Sequence, residues 1–454
     1  VTDARPWLLA LPFALALAGC ALVVPQPDVP PAAIAAPARV FAGAARLALT
    51  PVPHAVPLAG FGPHPTMATE STERPDGSRE DLFVRALSLR GAGEIDRGLD
   101  RVVLVSIDSL IVPPHARADV IARLGSLART ELILTATHTH FGIGGFWKGT
   151  LPEWASIGPY DAAMTARLAD RVAATIREAI AREEPVRVAR GSTRREDLVA
   201  SRAAQTELVD PDLLALAFDG ERGRVATLVV FAAHPTELYG SDRLSPAWPG
   251  AFSAALEREG GVALLLQGGL GNQKPRFPMT IFENLPPPTG TNGRLARSRA
   301  YGATVARAAS EALVARPREA IVTLALARAD FALPFPSVGA CPFPILARVL
   351  AVPVALPYWP ERTQVQALRI GDAVLAFAPF ELVSDTTLRT KERLRAAGFA
   401  DVAVVSLADG WLGYAPDGFP WPFTTSGAAS FGGTGIGYVL GERLAELGET
   451  IAPR

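Results

Sequence analysis

Two histidines one residue apart close an apolar run in "ELILTATHTHFGIGG", at His138 and His140. In an extended segment, side chains two apart face the same way, so both imidazoles share one side. Paired imidazoles at a strand end suit a metal site, and packed histidines are the alternative. A third histidine, His234, ends the apolar run "TLVVFAAH" and is followed by Pro235. Ligands in open α/β sheets gather beyond the carboxyl ends of strands, so these rings are candidates for one crevice. Two further residues sit in similar places. Glu381 follows the strand-like "DAVLAFAP" and precedes a helical stretch; alone, it reads equally as a first-turn carboxylate favoured by the helix dipole. Tyr414 follows "DVAVVSLA" and alone is a loop aromatic.

The elements that must carry these residues alternate. Strand patterns cover 101–108, 131–137 and 262–267, and others recur in "VRVARGS", "LLALAFD", "TQVQALRIG" and "DVAVVSLA". Helical spacing covers 116–130, 160–183, 294–316 and 384–397, and a last helix spans "GIGYVLGERLAEL". This alternation predicts an α/β fold: one large domain of mixed β-sheets flanked by helices, over residues 46–454. Residues 278–293 and 334–361 read as long loops; the second, rich in proline and apolar residues, is a candidate lid or rim.

A chain of 454 residues, 49% hydrophobic, is ample for such a core. Its net charge of −1 offers no basic field for nucleic acid. The two cysteines, Cys20 and Cys341, build no disulfide framework, and Cys341 reads as a buried free thiol. Cys20 ends "LLALPFALALAGC", an apolar run after Arg5 that is too short to span a bilayer and laid out like a secretory signal. Its ending Leu17-Ala18-Gly19-Cys20 resembles the lipobox of bacterial lipoproteins. That resemblance implies a signal peptide over 1–19, a lipidated Cys20 and a membrane-anchored protein of the cell envelope. Ala21 favours transfer to an outer membrane on the same grounds. Residues 20–45, rich in Pro and Ala, then read as a tether.

Together, "ATHTHFGIGG", "HPTELYGSDRLSPAWPGAFSAALE", "QGGLGNQKP" and "PFELVSDTTLRTKERLR" resemble the neutral/alkaline (non-lysosomal) ceramidases, in the order that family has them. The resemblance covers roughly 45–445 and concerns the N-terminal catalytic domain; no counterpart of the family's C-terminal β-sandwich follows. It implies a zinc-dependent hydrolase in which zinc-bound water attacks the N-acyl amide of ceramide or a related lipid. The zinc ligands it implies are His138, His234, Glu381 and Tyr414, with His140 and Arg202 beside the metal on the substrate side. A four-ligand zinc can take up water as a fifth ligand, and a developing oxyanion needs donors such as His140 and Arg202.

One departure stands out. The family's Gly-Asp-x-Ser-Pro-Asn segment reads Gly271-Asn272-Gln273-Lys274-Pro275-Arg276 here, with Lys274 in place of a serine. Lys274 is then a candidate catalytic group, an anchor for a different anionic substrate, or a solvent-facing residue of a remodelled loop. The same zinc chemistry on a smaller non-lipid amide or ester, or a non-catalytic zinc-binding envelope protein, are the alternatives it raises. Trp248, in "LSPAWPG", is a candidate for an apolar entry or for simple packing.

Overall fold

The computed structural model describes residues 25–453 apart from 35–36, 63–64, 96–98, 126–129, 203–206, 279–284, 288, 340–350, 354–355, 357–358, 418–429 and 434. Cys20, Cys341 and the signal-like run therefore lie outside the described residues. Among those described, no helix is long and apolar enough to cross a membrane.

Two sheets and two helical layers make an α/β/β/α stack. The larger sheet has nine strands. Its main path runs Val262–Gln267, Gly223–Phe231, Asp212–Gly220, Glu184–Arg194, Ala38–Ala48, Phe83–Ile95, Leu99–Ile107, Thr130–Ala136, with Ile321–Val322 added on Ala38–Ala48. The smaller sheet orders Ala33–Ile34, Leu324–Ala332, Arg362–Ile370, Ala373–Phe377 and Asp401–Val405. Alternate residues of both sheets form one buried cluster between them, with Leu87, Leu104, Leu216 and Leu264 meeting Leu326, Leu368 and Leu375. This is the inward half of a period-2 pattern, and the outward half buries under helices. Ala162–Ala181 covers one part of the larger sheet, and Ala247–Glu257 with Gly290–Leu313 another. Ser384–Ala396 and Ile436–Thr450 cover the smaller sheet.

Four segments differ from the sequence expectation. The tether expected over 20–45 does not extend that far, since Ala33–Ile34 and Ala38–Ala48 are strands, so the folded domain begins well before residue 46. The small residues that mimic a linker are packing residues. A Cβ on Gly43 would lie 2.1 Å from the carbonyl oxygen of Ala179, so only glycine admits the end of the Ala162–Ala181 helix there. The helix expected over 116–130 stops at Leu124, with Gly125 at φ 67°, and the next strand starts at Thr130. The loop expected over 278–293 is cut short by the helix starting at Gly290, and that over 334–361 contains the short paired strands Ser337–Gly339 and Ala351–Pro353.

What positions the site is the curl of the larger sheet. Its two edges approach each other: Ser106 Oγ donates to the Leu265 carbonyl (2.7 Å) and Gln267 Nε2 to the Thr137 carbonyl (2.8 Å). Residues 406–409 fill the remaining seam. Ser406 N donates to Gln267 O (2.8 Å), and Asp409 N donates to Leu134 O (2.7 Å). The seam therefore gathers the ends of strands that are far apart in sheet order.

Candidate metal and catalytic site

His138 lies two residues beyond Thr130–Ala136 and has φ 65°, a left-handed backbone rare for a residue with a Cβ. Such strain persists only where its surroundings enforce it, and it clusters at functional sites. Here it turns the ring so that Nδ1 faces the Leu110 carbonyl at 2.6 Å. His234, three residues beyond Gly223–Phe231, likewise turns Nδ1 to the Leu270 carbonyl at 3.3 Å. A ring nitrogen facing a carbonyl must carry the proton, which leaves Nε2 as the free acceptor on both rings. Those two Nε2 atoms are 3.0 Å apart.

Glu381 completes the cluster. Its Oε2 lies 3.4 Å from His138 Nε2 and 3.8 Å from His234 Nε2, and has no hydrogen-bond partner among the described residues. Its Oε1 accepts from Trp411 Nε1 at 2.8 Å, and the Tyr414 side chain also hydrogen-bonds the carboxylate. Glu381 and Tyr414 are register partners in a short parallel pair, so the backbone itself sets these side chains beside each other. All four residues are buried. Burial alone would raise the Glu381 pKa. The facing His138 and the hydrogen bonds from Trp411 and Tyr414 outweigh it and hold the pKa at about 2.

His140 stands on the other side of the same pocket. Its Nδ1 meets the Gly60 carbonyl at 2.9 Å, and its Nε2 is buried without a partner. Gly60 has no room for a side chain, since a Cβ would fall 2.5 Å from that Nδ1. The nitrogens of His138, His140 and His234 lie within 4.8 Å of one another. Burial and then the neighbouring positive charges push His140 and His234 well below the usual histidine range, so both rings are neutral at neutral pH. Arg202 is one of those charges, and its Nη1 is also buried without a partner among the described residues. Its main chain is fixed by Asn272, whose carbonyl accepts from Arg202 N at 2.8 Å.

The structure thus brings together His138, His140, His234, Glu381, Tyr414 and Arg202. It does not bring in Lys274. In the short strand Gln273–Pro275, Gln273 and Pro275 are buried and Lys274 between them is exposed, as strand alternation dictates. Its ammonium has no hydrogen bond or ion pair among the described residues, so the catalytic expectation for Lys274 gives way to the solvent-facing one. Its neighbours do the inward work: Asn272 Oδ1 accepts from Ser384 N and Oγ (2.8 Å each), and Gln273 O accepts from His234 N (3.2 Å). Trp248 packs: it is wholly buried, with its ring against Phe231 and Tyr301. Sequence reading missed Trp411. Its signal was present in "ADGWLGY", three residues before Tyr414, but a lone tryptophan in a loop carries no spacing rule.

The donor set fits a metal ion. Two imidazole Nε2 atoms only 3.0 Å apart suit a shared cation between them, and the unpartnered Glu381 Oε2 supplies the matching negative charge.

Comparison with known proteins bears on the sequence kinship and the fold. Residues 69–259 match the family model described as neutral/alkaline non-lysosomal ceramidase, N-terminal. The crystal structure of neutral ceramidase from Pseudomonas aeruginosa superposes with a TM-score of 0.74 at 19% identity, covering 94% of this chain and 77% of that one. The chain is thus similar to the neutral/alkaline ceramidases in sequence over residues 69–259 and in fold over most of its length. In sequence, a neutral ceramidase of Pseudomonas aeruginosa is 27% identical over 213 residues, which is 42% of this chain and 31% of that relative. The aligned part is thus under a third of the curated relative's length. A second structure, of a ceramidase complexed with C2, gives a TM-score of 0.74 at 18% identity over 92% of this chain and 77% of that one. Of the ceramidase-like residues expected from sequence, His138, His140, Arg202 and His234 fall within the matched stretch, and Glu381 and Tyr414 fall beyond it.

Proposed function

We propose that the chain is a zinc-dependent hydrolase of the amide bond in ceramide or a related N-acyl lipid. The observation that carries this reading is the convergence of His138 Nε2, His234 Nε2 and the unpartnered Glu381 Oε2 in one buried cluster. Nitrogen and carboxylate donors in this number suit zinc. His138, His234 and Glu381 would hold it, with Tyr414 alongside. When bound, zinc would acidify water and polarise a carbonyl.

The remaining steps belong to the chain. The Leu110 and Leu270 carbonyls lock both imidazoles in the tautomer that leaves Nε2 unprotonated. Trp411 fixes one oxygen of Glu381 and leaves the other facing the histidines. Arg202 Nη1 is buried and unpartnered among the described residues, suited to donate to the oxyanion that develops when an amide carbonyl is attacked. His140, whose Nδ1 faces the Gly60 carbonyl, presents an unprotonated Nε2 suited to take the attacking water's proton and then pass it to the leaving nitrogen.

Lys274 is exposed, and the reading in which it binds an anionic group of a different substrate is put to the same assay. The deciding experiment assays the purified zinc-loaded protein on ceramide and on a small non-lipid amide, with and without chelator. Chelator-sensitive fatty-acid release from ceramide supports the proposal. Turnover of the small amide alone would move the substrate class, and no turnover of any amide at full zinc content would leave a binding protein.

A further inference from the structure

Residues 25–34 dock on the body. Ala33 and Ile34 pair antiparallel with Leu326 and Ala325 at the edge of the smaller sheet. Further back, Gln26 makes both hydrogen bonds that a strand neighbour would make. Its Nε2 donates to the Ala332 carbonyl (3.1 Å) and its Oε1 accepts from Ala332 N (2.9 Å). The buried Arg443 donates to the Pro27 carbonyl, and Val29 and Ala32 pack on the core beneath. Because the pairing is antiparallel, the chain traced backwards leaves the body at the end of Leu324–Ala332. Three residues past that end is Phe335, 68% exposed.

Only five residues separate Gln26 from Cys20, the last residue of the apolar run. Six Cα steps reach at most roughly 20 Å. A lipid on Cys20 would therefore hold this end of the molecule close to the bilayer. The end suits that place. Phe335 is an exposed apolar side chain, and Arg362, which pairs with Ala332, offers an exposed cation beside Asp330 for lipid phosphates.

We propose that the end of the domain bearing Phe335 and Arg362 is its bilayer-contacting face, held there by a lipidated Cys20 and the docked segment 25–34. A row of rings runs from this face to the site. Trp359 Nε1 donates to the Pro334 carbonyl (2.9 Å), its ring meets Phe431 (6.2 Å), and Phe431 meets Trp411 (6.3 Å), which holds Glu381. The consequence for substrate delivery rests on the proposed lipid amidase; the face itself does not.

A rival face exists. Met67, Trp154 and Tyr239 are each more than half exposed, and Tyr239 stacks through Phe61 toward His140. The two are separated by placing p-benzoylphenylalanine at 335, 154 or 239 in the full lipoprotein, reconstituting it in phospholipid vesicles and irradiating. Cross-linking of lipid from 335 and not from 154 or 239 is expected. Cross-linking from 154 or 239 without 335, or from none, overturns the proposal. As a second readout, Phe335→Asp should slow turnover of vesicle-embedded ceramide at least fivefold and leave a detergent-dispersed short-chain ceramide within twofold. Equal effects on both would also overturn it. Absence of turnover on either substrate would count against the amidase and leave the cross-linking result standing.

Discussion

The Nε2 atoms of His138 and His234 point at each other across 3.0 Å, although their strands lie near opposite edges of a nine-stranded sheet. The curl of that sheet and two backbone carbonyls produce the pairing. Either ring replaced by alanine removes half of a donor pair that a cation needs. His138→Ala and His234→Ala should each lose most of the bound zinc, measured by metal analysis after dialysis, and all hydrolysis. A variant that keeps full zinc would show that the ion sits elsewhere.

Trp411 touches no candidate reacting group, yet it holds the Glu381 oxygen that faces away from the histidines. Outer partners of this kind typically tune metal affinity by roughly 10–100-fold. Trp411→Phe keeps an aromatic ring between Trp147 and Phe431 and deletes the N–H donor together with part of the ring. Zinc affinity, measured against a competing chelator, should fall within that range while thermal stability changes little. Unchanged affinity would mean that Tyr414 alone orients the carboxylate.

His140 and Arg202 are expected to act on the substrate side. Arg202→Lys and His140→Gln should therefore lower kcat by roughly 10²–10³, the usual effect of losing one oxyanion donor or one proton-transfer group, with zinc content unchanged. Loss of zinc in His140→Gln would instead place His140 among the ligands, which the 4.8 Å grouping of the three histidines makes a real alternative.

Lys274 carries the opposite expectation. An exposed side chain without a partner contributes within about 0.5 kcal/mol to stability. Lys274→Ala and Lys274→Ser should leave kcat/KM within twofold. A tenfold drop would return Lys274 to the site.

These residues also show what a sequence discloses. His138, His140 and His234 were legible because strand-end histidines with small neighbours are a local pattern. Glu381 and Tyr414 were legible only through motif order, since nothing local says that a two-residue pairing sets them side by side. The edge-to-edge curl was not legible, as it depends on contacts such as Gln267 with Thr137, 130 residues apart. The misread tether has the same cause. Gly43 looks flexible until the helix end that it admits is known. Lys274 misled because identity at a motif position was weighed without the strand alternation that turns it outward.

Asp409 gives the last prediction, in the seam that holds the site together. Its Oδ1 accepts from Leu134 N (2.9 Å) and its Oδ2 from Gln366 Nε2 (2.7 Å), with its side chain only 9% exposed. Burial raises its pKa to about 7, with Glu131 adding to the rise and Leu134 N, Arg117 and Gln366 opposing it. In the unfolded chain the value is about 3.9. The folded state therefore holds the proton more tightly. Below about pH 4 both states are protonated and there is no penalty. Between about pH 4 and pH 7 the unfolded chain releases a proton that the folded one keeps, so stability falls as pH rises, by a few kcal/mol in all. Asp409→Asn removes this dependence. The backbone suits the change, since residue 409 has φ 56°, a region asparagine tolerates. Gln366 Oε1 is buried without a partner, so turning its amide over would let it accept from the new Nδ2. Melting temperatures from pH 4 to 8 should show wild type and variant diverging as pH rises, with the variant the more stable at pH 8. Parallel curves would mean that Asp409 is ionised throughout and that the seam tolerates its charge.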